Sequence, residues 1–190
     1  MEILLEKAKL ENIEEIHQMQ IKSFKSLLEK YKDYDTNPGN ESIERIIQRF
    51  NQEFTDYYII KMKNTPVGAI RVIRLENGLK CRVSPIFILP EYQNKGIAQK
   101  VFEIIEIKYK PKNGWILDTI LQEKGNCYLY EKIGYKKTGK IEKINDIMDI
   151  ITKDADKHFD PLITAVFVNV CRQINEAREK YCQELNVEQI

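Results

Sequence analysis

Residues that build metal sites and disulfide scaffolds are sparse in this chain. Its four cysteines, Cys81, Cys127, Cys171 and Cys182, are scattered and form no CxxC pair. Histidine occurs twice, as His17 and His158. No His/Cys/Asp cluster has metal-ligand spacing, and no Ser-His-Asp arrangement can be assembled. These absences argue against a metal site and a disulfide framework. They suit a reducing compartment, so a cytoplasmic location is expected. Charge of one sign is also missing: 30 basic and 29 acidic residues leave a net charge of +1. No global field therefore draws the chain to nucleic acid or to a membrane surface. The longest apolar run, "PLITAVFVNV" at 161–170, is far shorter than the roughly 20 residues of a membrane-spanning helix. The opening "MEILLEKAKL" has no signal-peptide core. Internal repeats and low-complexity segments are absent as well.

At 190 residues the chain suits one domain, or one domain with an appendage. "EILLEKAKL" at 2–10 reads as a strand. Ile13, Ile16, Phe24, Leu27, Leu28 and Tyr31 then recur at helical period. After the loop "DYDTNPGN" at 33–40, Asn40 is the expected N-cap of a second helix. Its stripe is Ile43, Ile46, Ile47, Phe50 and Phe54. Residues 56–62, 67–75 and 80–89 read as a meander of three strands, joined by "KNTP" and "ENG". A helix follows from 95 to 110, with Ile97, Val101, Ile104 and Ile105 on one face. Residues 114–120 return to strand. "GNCYLYEKIG" at 125–134 is a short helix with Asn126 as expected N-cap and Gly134 as C′ cap. Two more strands fit 135–141 and 146–152. The order is β-α-α-β-β-β-α-β-α-β-β.

The turn "PEYQNKGIAQK" at 90–100 stands between an apolar strand and an amphipathic helix. Pro90 cannot continue a ladder. The first turn of a helix offers unsatisfied N–H groups and a partial positive charge, which together suit phosphate. Gly96 allows close approach of a ligand, Ala98 keeps the next turn clear, and Lys95 adds a cation. On spacing alone, an ordinary strand-to-helix turn is an equal reading.

"QNKGIA" at 93–98 resembles the Q/R-x-x-G-x-G/A motif of the GNAT N-acetyltransferase superfamily. "NCYLYEKIGY" at 126–135 resembles that family's "LYEKxGF" segment, and the two lie in the family's order, separated by a helix and a strand. The resemblance covers about residues 2–152. It implies an α/β (α+β) fold: a mixed, mostly antiparallel sheet with a splayed central strand pair flanked by helices, here with a C-terminal helical extension at 153–190. It implies acetyl-CoA as co-substrate and an amine, small molecule or peptide, as acceptor. Backbone N–H groups of Gln93, Asn94, Lys95, Gly96, Ile97 and Ala98 would bind the pyrophosphate. The strand through Ile86, Phe87 and Ile88 would pair with the pantetheine arm, with Ile86 and Ile88 as the main contacts. Pro85 suits a bulge that splays this strand from its neighbour, although the strand could also simply begin after it.

The resemblance also implies that Tyr130 lies near the cofactor sulfur, as a general acid to the leaving thiolate. Asn126 would touch the cofactor, but it stands closer to the tyrosine than the matching asparagine of many relatives. No base stands out. Asp118 is the candidate, Glu123 an alternative, and His17 lies on the helix expected to line the acceptor side. An acetyl-cysteine at Cys127 is conceivable, though direct transfer is the family's usual route. Segments 30–40 and 139–149 would shape the acceptor site. Their Asp33, Asp35, Asp146 and Asp149 lean faintly towards a cationic amine. The competing expectation is a non-catalytic module that binds acyl-CoA and assembles through its C-terminal helix. In that helix Ile163, Phe167, Val170, Ile174, Ala177 and Tyr181 form a short heptad seam. It either docks on its own domain or pairs two chains into a homodimer.

Overall fold

A computed structural model of the protein describes residues 2–139. The chain divides into two compact units, Met1–Gly139 and Lys140–Ile190. The expected strand at 146–152, the C-terminal helix with its seam, Asp146, Asp149, His158, and the 152/153 boundary lie outside the described residues. Residues 135–139 form no strand, so that part of the expected 135–141 strand is corrected.

The described residues build one five-stranded sheet, ordered β1 to β5 along the chain. The strands are β1 (Ile3–Lys7), β2 (Thr55–Met62), β3 (Thr65–Leu75), β4 (Lys80–Ile88) and β5 (Trp115–Leu117). The first four pair antiparallel, and β4 pairs parallel with β5. The helices are α1 (Ile13–Tyr31), α2 (Ile43–Phe50), α3 (Ile97–Tyr109) and α4 (Lys124–Lys132).

Local chemistry explains the turns. Lys63 and Asn64 both have positive φ, 49° and 67°, as a two-residue hairpin with the right-handed twist of its strands requires. The cap of α2 is Ser42, not Asn40: the Ser42 hydroxyl accepts from the Arg45 N–H. Asn40 lies within a short 3-10 turn, Pro38–Asn40, that Asn37 caps. Helix α2 ends at Phe50, so Phe54 falls beyond it and is exposed, and Ile47 is exposed too. Ile46 is the fully buried member of that stripe. Helix α4 also starts earlier than expected. Glu123 holds the N-cap position and Asn126 lies inside the helix, exposed. Its far end closes as expected. Gly134, at φ 100°, donates to the Glu131 carbonyl, and Tyr135 donates to the Tyr130 carbonyl. This pair of bonds is the Schellman pattern.

Two apolar layers cover the sheet. One face packs Tyr58, Ile60, Val67, Ile70, Val72, Cys81, Val83 and Ile88 against Ile97, Val101, Phe102 and Ile105 of α3. The other packs Tyr57, Ile59, Ala69 and Phe87 against Ile13, Ile16 and Met19 of α1 and Ile46 of α2. Asp56 joins three elements on the α3 face. It accepts from Tyr109 (2.8 Å), pairs with Lys7 (2.9 Å) and contacts Arg74. Burial alone would raise its pKa, but the bonds from Lys7 and Tyr109 and the Arg74 charge outweigh that and hold it below the ordinary carboxylate value.

Strands β3 and β4 approach closely at Gly68. A Cβ there would lie 2.1 Å from the Phe87 carbonyl oxygen and 3.0 Å from the Ile88 Cα. Those atoms are backbone and cannot rotate away. Gly68→Ala is expected to cost about 1–3 kcal/mol, read by urea denaturation; unchanged stability would refute this close packing. Asp56 titrates lower in the folded chain than in the unfolded one. Its stabilisation is therefore complete above the unfolded carboxylate value near pH 4 and is lost as pH falls through the lower folded value. Denaturation curves of Asp56→Asn should show a loss of about 1–3 kcal/mol at pH 7, and the gap to the wild type should narrow as pH drops below about 4.

Candidate active site

The site begins at a fault in β4. Ile70 pairs with Ile86 and Val72 with Val83. Between these pairs β3 contributes Arg71 alone, while β4 contributes Ser84 and Pro85. Two residues opposite one make a β-bulge, and Pro85 lies in it. The parallel pairing with β5 covers only Cys81, Arg82 and Val83. Beyond the bulge β4 keeps β3 on one edge and, among the described residues, has no strand on the other. The two strands are splayed, as expected.

The ladder decides which groups face the open edge. The Leu89 N–H bonds to the Val67 carbonyl. By antiparallel alternation, Leu89 and Phe87 spend their backbone groups on β3, while those of Ile86 and Ile88 point the other way. The Ile88 carbonyl accepts from the Gln93 side chain at 2.8 Å, so Gln93 ties the following turn to the open edge. The side chains divide between the faces. Ile86 and Ile88 join the α3 layer, and Phe87 joins the α1/α2 layer, edge-on to Phe24 with ring centres 6.0 Å apart.

After β4, a 3-10 turn at Pro90–Tyr92 leads to α3. The Gln93 N–H bonds the Pro90 carbonyl, so it is removed from the expected set of free donors. Residues 94–99 are different: their six consecutive N–H groups have no hydrogen-bond partner among the described residues. Asn94 and Gly96 have positive φ, 58° and 74°, and such alternation gathers successive N–H groups into an anion-binding concavity. Nothing lies within 4 Å of a Cβ built on Gly96. Its glycine is required by backbone angle rather than by crowding. Lys95 does not reach into the turn. Its ammonium bonds the Glu91 carbonyl (2.8 Å) and lies 5.2 Å from the centre of the Tyr92 ring. Ile97 is buried and Ala98 half-buried at the start of α3.

Tyr130 packs from α4 against the α3 layer. Its ring meets Phe102 at 5.7 Å and 80°, and Tyr135 at 6.3 Å. It shares that layer with Ile86 and Ile88. Burial, with a smaller contribution from Cys127, pushes its pKa up to about 12. Cys127 directs its thiol at the Ile120 and Leu121 carbonyls. The exposed Asn126 is not brought to the open edge of β4 by any contact among the described residues.

Each candidate base has a partner on one of its polar atoms. Asp118 lies just past β5, is exposed, and pairs with Arg82. Glu123 accepts from Lys30 and Tyr31, each at 2.7 Å, and these bonds lower its pKa. His17 contacts the Glu41 carbonyl at 2.9 Å, a contact that fixes the loop before α2. That loop and α2 enclose a cavity of about 330 Å³ lined by, among others, Asp35, Asn37, Glu41, Arg45 and Arg49. Among the described residues, no group of three or more His, Cys, Asp or Glu could hold a metal, and no helix is long and apolar enough to cross a membrane.

Sequence reading missed Arg71. It is 6% exposed and faces the α1/α2 layer, since it pairs with Tyr57. It donates to Thr55 (2.9 Å), to the bulge carbonyl of Ser84 (3.3 Å) and to Gln52 (3.0 Å). An arginine amid the apolar "VGAIRVIRL" was the available signal.

Known proteins share the family and the fold of this chain. The model of the acetyltransferase (GNAT) domain matches residues 8–150. No curated protein matches the chain in sequence. Among solved structures, the fold is similar to the PaiA N-acetyltransferase of Thermoplasma acidophilum in complex with coenzyme A. That likeness has 18% identity and a TM-score of 0.58, covering 74% of this chain and 94% of the other. It is similar to spermidine N-acetyltransferase of Vibrio cholerae in complex with CoA and spermine, at 16% identity and TM-score 0.57, covering 73% and 83%. It is also similar to an acetyltransferase of the GNAT family from Staphylococcus aureus, at 20% identity and TM-score 0.55, covering 74% and 90%. The domain match spans both the opened strand and the helix that carries Tyr130, and the chain therefore belongs to the GNAT acetyltransferases.

Proposed function

We propose that the protein transfers an acetyl group from acetyl-CoA directly to a primary amine. The observation that carries this reading is the run of six N–H groups at 94–99 without partners among the described residues, placed at the end of a strand whose outer edge is open among those residues. Two adjacent phosphates supply the acceptors that such a run lacks. The N–H groups of Asn94, Lys95, Gly96, Ile97 and Ala98 bind the pyrophosphate, with Gly96 holding the turn. The amide groups of the pantetheine arm pair with Ile86 and Ile88 as a further strand would. The two relatives with bound CoA support a CoA-type ligand in this fold.

Acetyl-CoA supplies an activated acyl group on a thiol leaving group. The chain's residues orient it and handle one proton. Tyr130, with its pKa near 12, stays protonated at physiological pH. It meets the charge developing on sulfur as a hydrogen-bond donor and passes its proton as the C–S bond breaks. Solvent then restores the phenol. The acceptor nitrogen forms the new C–N bond and releases its own proton. Asp118 keeps one carboxylate oxygen clear of Arg82, and Glu123 keeps one clear of Lys30 and Tyr31, so either can take up a proton through water. We assign that proton to water.

Acetyl-CoA should raise the melting temperature, and an amine panel should release CoA. Stabilisation without turnover on any amine would favour a binding module instead. Tyr130→Phe is expected to lower kcat by about 10²-fold with little change in acetyl-CoA affinity; an unchanged kcat would remove Tyr130 from this role. Its high pKa also predicts no alkaline fall in kcat from Tyr130 below about pH 11. Gly96→Val forces a β-branched residue into a left-handed angle. Calorimetry should show acetyl-CoA binding weakened by about tenfold or more, and intact binding would undo the pyrophosphate cradle.

A further inference from the structure

Arg71 is a buried cation in want of an anion. A guanidinium carries five N–H donors. Three are engaged, and all three acceptors are neutral oxygens. One N–H on each terminal nitrogen is left over. No carboxylate lies within ion-pair distance of it among the described residues. Glu41, whose charge reaches it, is already held by Arg49 (2.6 Å) and Gln20 (2.9 Å). Asp118 is taken by Arg82. Burial pushes the Arg71 pKa down, and repulsion from Arg49 and Arg82 adds to that, against opposing contributions from Tyr57, whose ring centre lies 5.8 Å from the guanidinium, and Glu41. Arg82 has its own deficit, since its Nε is buried without a partner. The Arg71 side chain therefore bears a desolvated positive charge with no counter-ion beside it among the described residues.

Its position gives that deficit a meaning. The carbonyl it holds, that of Ser84, belongs to the bulge. The proposed pantetheine track along Ile88 and Ile86 ends there. Arg71 reaches the bulge from the α1/α2 face, the side opposite Tyr130. We propose that Arg71 anchors a carboxylate on the acceptor, so that the enzyme acetylates amines bearing a carboxylate close to the nitrogen, the amino-acid class, in preference to polyamines. The inference rests on the acetyltransferase reading. One free N–H on each terminal nitrogen matches the two oxygens of a carboxylate. A short link from carboxylate to amine then leaves the nitrogen beside the thioester end of the track.

The test compares acceptors that differ only in the carboxylate. Each proteinogenic amino acid is assayed for CoA release against its decarboxylated amine, with spermidine alongside. Binding of the same pairs to the protein–CoA complex is measured by calorimetry, which needs no turnover. At least one acid should exceed its decarboxylated partner by about 10- to 100-fold in kcat/KM or affinity, the size of one charge-assisted pair. Arg71→Gln should abolish that preference through KM while leaving acetyl-CoA stabilisation intact, and Arg71→Lys should keep part of it. If Arg71→Gln does not fold, the wild-type pairs decide alone. Equal or better use of spermidine or the decarboxylated amines would overturn the carboxylate anchor. Equal losses by Arg71→Gln on both members of a pair would do the same. Absence of any acetyl-CoA stabilisation would sink the function itself, so the two failures are distinguishable.

Discussion

A strand inside a sheet normally spends its backbone donors and acceptors on two neighbours, and β4 is made to give up one of them. The bulge at Ser84 and Pro85 ends the pairing with β5 after Val83. Unpaired backbone groups away from water are costly. An opened edge persists where the surrounding structure holds it and water or a ligand can satisfy its groups. Much of the described structure serves the first condition. Gly68 brings β3 against the far side of β4, and Gln93 bonds the Ile88 carbonyl.

The opening also sorts the two chemistries by face. Side chains alternate along β4, so Ile86 and Ile88 fall with Tyr130 and α3, while Phe87 falls with α1 and α2. The proposed leaving group and its phenol donor belong to the first layer. The cations Arg49 and Arg71 and the cavity beside α2 belong to the second. The proposed acetyl donor and acceptor would therefore approach one bulge from opposite sides without competing for the same groups.

The corrections have a common cause. Asn40 and Asn126 are good capping residues by type, yet Ser42 and Glu123 hold those positions. Capping preference says which residues can serve, and the tertiary path says where a helix begins. Asn37 and the short turn it caps use up the residues that would have started α2 earlier. Phe54 continues an apolar period that the helix itself does not. Gln93 matches the phosphate motif by sequence, but its N–H is consumed by the turn that Pro90 starts.

By itself the sequence determined the elements whose signals are local. Period-two and period-3.6 patterns mark strands and helices, Pro90 and Gly96 mark the turn, and Gly134 marks the close of α4, because each follows from the allowed angles and donors of a few consecutive residues. The two motifs carried the family by the same local means. Only the tertiary structure decided what depends on distant partners. Among the described residues, the extent of the β4–β5 pairing, the 94–99 amides left unpartnered, the engagement of Asp118 with Arg82 and the burial of Arg71 without an anion are properties of neighbours far apart in the chain. Whether a polar group is satisfied is settled by what packs against it, and no pattern of adjacent residues records that.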